Sequence, residues 1–128
     1  MPFTLLRPDT IEAIQTEQAA RHGGRTALRT PGLIQTLADR ASALNESAAT
    51  DLASLAACYA YGLAHGRPFQ DGNLSTALVC TELCLTLNSH RLIADDTTCV
   101  LGFSVLANGE LSAEAFANWL RSHIAPDA

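Results

Sequence analysis

The sequence predicts an all-α domain, and three observations carry that prediction. Alanine and leucine, both strong helix formers, supply most of an apolar content of 48%. Apolar residues recur at helical spacing, and no stretch alternates with the period of two that marks a strand. Cap and stop residues (Gly23-Gly24, Thr30-Pro31, Gly66, Asn108-Gly109, Ser112) cut the chain into pieces of helix length. With 128 residues, the chain is expected to be one domain spanning 1–128. That length buries roughly two thirds of the unfolded surface and is too short for two ordinary domains.

The first helix is expected over Pro8–His22. Proline is tolerated in a first turn, Asp9 and Glu12 suit the positive helix end, and Gly23-Gly24 stops it. Ile11, Ile14 and Ala19 give it a thin apolar face, so it reads as peripheral. An Arg- and Gly-containing loop fills 23–30. Thr30 as cap and Pro31 at the first helical position then open a second helix bearing Leu33, Ile34 and Leu37. Residues 41–50 lack strong periodicity and include a loop. From Asp51 the pattern sharpens, with Leu52, Leu55, Ala56, Tyr59 and Leu63 on one face, ended by Gly66.

The fourth helix, Asn73 to Asn88, is apolar on almost every side, which predicts a buried centre around which the others wrap. A turn at 88–91 leads to Asp95, the cap of a fifth helix reaching Ala107. Ser112 caps a sixth, with Leu111 and Phe116 at staple positions and Trp119, Leu120 and Ile124 on its buried face. About six helices result.

Composition excludes several functions. Eight basic residues, all arginine, face 13 acidic ones, for a formal charge of −5. The arginines are scattered, so no direct nucleic-acid binding is expected. No apolar run approaches the ~18 residues of a membrane span, and Asp9, Glu12 and Glu17 interrupt any leader-like stretch. A cytoplasmic location follows. Cys58, Cys80, Cys84 and Cys99 lie in apolar stretches without zinc-ligand partners, so they read as buried free thiols of a reducing compartment. Charged residues make up only 16% of the chain, against a soluble average of about 25%. That leaves room for a partner-covered surface.

The break before the fourth helix carries the chemistry. Asp71-Gly72-Asn73 hands a loop over to a helix whose first N–H groups lack intrahelical partners and can cradle a phosphate. Gly72 permits close approach, and Asp71 offers a hard oxygen to Mg²⁺. The plainer alternative is a capped turn, with Asp71 as N-cap and Phe69 as a core plug.

The stretch from Tyr59 to Leu78, YAYGLAHGRPFQDGNLSTAL, resembles the defining segment of the Fic/Doc (death-on-curing) superfamily. There an apolar helix is followed by a loop of the form His-Pro-Phe-x-Asp-Gly-Asn-Lys-Arg-Thr-Ala, which opens a buried helix. RHGG with TPGLIQTLADR resembles the family's N-terminal helix pair, and LANGELSAEAFANWLRSHI its C-terminal hairpin. The resemblance therefore spans nearly the whole chain and implies a compact Fic/Doc-like bundle. It implies nucleotide chemistry, with ATP or another nucleotide and Mg²⁺ as cofactors. The reaction moves AMP to a protein hydroxyl in the Fic branch and a γ-phosphate to a translation factor in the Doc branch. A small antitoxin is the partner it implies. In the family motif the His is the base, the acid holds Mg²⁺, and Asn, Lys and Arg with the helix start bind phosphates.

Carried over position by position, Pro68, Phe69, Asp71, Gly72, Asn73, Thr76 and Ala77 match. The catalytic His position falls on Arg67, the Lys position on Leu74 and the Arg position on Ser75. Arginine stays protonated and cannot act as a general base, a role worth about 10²–10⁴ in rate. His65, two residues upstream, is the substitute candidate; its plainer reading is a helix-end histidine facing the negative dipole. Arg67 could clamp a phosphate or carboxylate, or simply be solvated. The candidate set is Arg67 and His65 for catalysis, Gly72, Asn73 and Ser75 for nucleotide, and Asp71 for metal. Three functions compete: a degenerate relative acting by binding, with a nucleotide or anion retained at Asp71–Asn73 or no cofactor at all, an altered but active transferase, and a subunit of a toxin–antitoxin or effector complex.

Overall fold

The computed structural model describes residues 2–127. Among these it has helices α1 (Pro8–His22), α2 (Leu33–Asn45), α3 (Leu52–Ala64), α4 (Asn73–Leu87), α5 (Asp96–Ala107) and α6 (Ala113–Arg121). Two short strands, β1 (His90–Leu92) and β2 (Ile124–Pro126), complete it. The all-α prediction holds, with six helices among the described residues. The strands are the addition: they pair antiparallel with Arg91 opposite Ala125. Three residues are too few to show an alternating pattern, so only the tertiary pairing reveals them. Ile124, expected to extend the last helix, lies in β2.

The centre of the bundle is α3, not α4. Ten of the 13 residues of α3 are buried, and it packs against α2, α4, α5 and α6. Its alanines at 53, 56, 57, 60 and 64 let neighbours approach from several sides. The fourth helix buries Thr76, Ala77, Cys80, Thr81, Cys84 and Leu85 but leaves Leu74 and Leu87 exposed. An all-round apolar sequence marks a candidate for burial; the smaller side chains of α3 allow the closer packing.

Side chains cap three helices, at Asp95 and Ser112 as expected and at Asp51 in addition. The Asp51 side chain accepts from the Ser54 amide, Asp95 from Thr98 and Ser112 from Ala115. At α2 the expectation fails: the helix begins at Leu33, after Gly32, and Thr30 is no cap. The amides of Arg29 and Thr30 instead donate to the Pro68 carbonyl, at 2.7 and 3.1 Å. That pairing fixes Thr30 before the helix can start. The N-terminal segment is clipped on by side-chain amides, with Asn45 bonding the backbone N–H and carbonyl of Phe3 and Asn88 those of Thr4.

Candidate functional site

Two loops, 23–32 and 66–72, meet at the start of α4. They run alongside each other as a fragment of sheet: Leu28 pairs with Phe69, and the Gln70 amide donates to the Ala27 carbonyl at 3.0 Å. Phe69 is buried and anchors the second loop in the core. Gln15, on α1 and only 1% exposed, ties the pair from beneath. Its Nε2 donates to the carbonyls of Arg25 (2.8 Å) and Asp71 (3.0 Å). Gln15 sits one turn after Ile11 and one before Ala19 on the buried stripe. That register was the sequence signal for it, and reading only apolar residues misses it.

Asp71 faces the first loop. Its Oδ2 accepts from the Arg25 amide at 2.8 Å and from Arg25 Nε at 3.2 Å. These two bonds hold the carboxyl below its ordinary value, the amide contributing most. Gly24 makes the approach possible, since a Cβ there would lie 2.8 Å from Asp71 Cβ. In the sequence Gly24 read as a helix stop and Arg25 as part of a connecting loop, because neither lies in the motif. Gly72 is left-handed at φ 74° and starts α4. The first bond within α4 runs from the Thr76 amide to the Gly72 carbonyl, 2.9 Å. No side chain caps the earlier amides, so they face outward as donors.

The remaining candidates divide. Asn73 Oδ1 accepts from the Phe69 amide (3.0 Å) while its Nδ2 donates to the Phe69 carbonyl (2.8 Å), bracing the loop. The Ser75 hydroxyl donates to the Gly72 carbonyl at 3.3 Å. Leu74 is exposed. Arg67 is exposed and left-handed at φ 51°, a conformation costing a non-glycine residue about 1–2 kcal/mol. His65 caps α3, stacks its ring on Tyr61 at 4.8 Å and rests against Gly109 in the α5–α6 turn. Asp71, Gly72, Asn73 and Ser75 are thus brought together with Thr76. His65 instead packs against another part of the fold.

Thr76 adds one unusual feature. Its Oγ1 is buried with no hydrogen-bond partner, alone in this respect among the described residues. It lies 3.9 Å from where a Cβ on Gly72 would stand. A buried hydroxyl without a partner beside a glycine and a row of free amides suits a phosphate oxygen or a water bridging to one. For a metal the fit is narrower. Among the described residues no three His, Cys, Asp or Glu side chains converge as ligands. Mg²⁺ would have Asp71 Oδ1 and the phosphates it arrives with.

The model of the Fic/DOC family matches residues 5–85. The chain belongs to the Fic/Doc family. The matched range takes in α1 to α3, α4 as far as Leu85 and both loops of the site. A curated relative, "Protein kinase doc" of Escherichia phage P1, is 28% identical over 117 residues, covering 91% of this chain and 92% of the relative. The likeness to that Doc protein therefore continues past the matched range into α5 and α6.

No helix among the described residues is long and apolar enough to cross a membrane. The four cysteines are buried and free, and burial raises each thiol, Cys80 and Cys84 to about 12. They are packing residues rather than nucleophiles.

Proposed function

We propose that this chain is a Doc-like, toxin-type member of the Fic/Doc family that acts by binding rather than by ordinary phosphoryl or AMP transfer. The observation that carries the reading is Arg67. It occupies the position of the family's catalytic His, and a guanidinium cannot take a proton from a target hydroxyl. Leu74 and Ser75 remove two further phosphate-binding charges from the same stretch. Asp71, the candidate metal ligand, is meanwhile held by Arg25.

What persists is an anion cradle. Gly72, the free amides at the start of α4 and the Thr76 hydroxyl can hold phosphate oxygens, with Ser75 beside them. Bound Mg²⁺ would neutralise the phosphate charge of a nucleotide; Asp71 would orient the ion, and Asn73 would keep the loop closed on Phe69. Electrostatic positioning of that kind is most of what phosphoryl transfer needs from a protein apart from the base. The cradle therefore supports nucleotide retention without turnover. A cytoplasmic setting and a small antitoxin-like partner belong to the same reading.

The experiment is incubation with γ- and α-labelled ATP and a cell lysate. The expected result is no labelled protein from the natural chain. Label transfer abolished by either Asp71→Ala or His65→Ala would overturn the reading in favour of an altered active transferase. Calorimetry with ATP·Mg²⁺ reports the cradle separately. Heat that disappears in Thr76→Val is expected.

A further inference from the structure

Away from the nucleotide loop, the outer face of α5 is apolar in a way the fold does not use. Val100 is 54% and Leu101 62% exposed, and Ile93, just before the helix, is 53% exposed. On one side of this ridge lies a recess of about 190 Å³. Leu78, Leu92, Cys99 and Val100 line it together with the carboxylates of Glu82 and Asp96. On the other side a shallower groove of about 280 Å³ runs past Leu101, Leu111 and Trp119.

The charge around the recess is one-sided. Glu82 and Asp96 form no ion pair among the described residues. They come from different elements, α4 and α5, yet line the same recess; partial desolvation and, after it, the neighbouring Asp96 push Glu82 upward. Arg91 alternates to the other face of the ribbon from Leu92. Asp96 suits the positive end of α5, but two like charges sharing one recess repel each other.

We propose that this face docks a partner protein that inserts one arginine side chain between Glu82 and Asp96 and lays apolar residues over Val100 and Leu101. Arginine suits the recess better than lysine. Its stem can lie along Leu78, Leu92 and Val100, and its planar fork can address two carboxylates at once. Arginine in a recess at the middle of an apolar patch is also the usual makeup of an interface hot spot. The acidic lining disfavours anionic partners, nucleic acid and anionic lipid included. A second copy of this chain fits less well, because two copies that each carry a net charge of −5 repel. The surface is independent of whether the α4 site transfers anything.

The test uses the full chain and a designed helical peptide of about four turns. It carries one central arginine flanked by leucines a turn away on each side. Its control carries citrulline, the neutral isostere, in place of arginine. The arginine peptide should shift the amides of Ala94–Leu101 and bind at least about tenfold more tightly than the control, less so at high salt. Glu82→Gln should raise Tm while weakening peptide binding about tenfold, and Asp96→Asn should weaken it similarly. A residue with only a structural role would not move binding. Equal affinity for the two peptides, no binding, or shifts elsewhere would overturn the proposal. So would concentration-dependent self-association through this face.

Discussion

Asp51 shows how much one side chain can carry. It caps α3 through the Ser54 amide and forms a two-pronged pair with Arg121 at the end of α6, at 2.7 and 3.0 Å. The Arg121 bonds are the main reason its carboxyl sits well below the usual range. A depressed folded pKa means stability that is present above the unfolded value, near 4, and lost as pH falls toward the folded one. Asp51→Asn keeps the cap but loses the pair. It should cost about 0.5–1 kcal/mol at neutral pH in urea unfolding, because the pair is half exposed. Its acid limb should also be shallower than that of the natural protein. The helix start at Asp51 was legible in the sequence, where the apolar pattern sharpens. The pair with Arg121 was not, since 70 residues separate the two.

At the scale of elements, helix existence was readable and helix rank was not. Periodicity and caps place all six helices, yet the all-round apolar α4 was expected at the centre that α3 holds. Period and hydropathy say how much of a helix can be buried; side-chain size decides how many neighbours reach it. The α3–α4 interface carries its own pH signature. Burial raises Cys80 and Cys84 from about 9 to about 12 and Tyr59 to about 12. For these groups the unfolded chain ionises first. Stability is therefore complete below about pH 9 and falls as pH rises toward 12. Cys80→Ala should flatten that decline between pH 9 and 11, measured by denaturant midpoints against pH. Between α5 and α6, Gly102 lets the Trp119 ring lie close, since a Cβ would stand 2.8 Å from it. Gly102→Ala gains about 1 kcal/mol of helix propensity and loses about 1–3 to overpacking. A net drop in urea midpoint is expected, with altered Trp119 fluorescence.

At the scale of the molecule, the site is a meeting of distant segments, and that explains what the sequence could show of it. The motif Arg67 to Ala77 is contiguous and was legible, including its departures at 67, 74 and 75. The loop over 23–30 was read as a connection, because nothing local announces that Arg25 and Gly24 meet Asp71. Gln15 joins these halves, and its consequence is mechanical. One carboxamide spends both its hydrogens on two different loops. Neither loop can then leave its place without surrendering the same fastener, so the two should open as a single cooperative unit. Hydrogen exchange tests this. The amides of Arg25 and Gln70, which close the two loops on each other, should share one opening free energy in the natural protein. In Gln15→Leu, which can donate to neither carbonyl, both amides should exchange faster and at rates no longer tied together, while α3 keeps its protection.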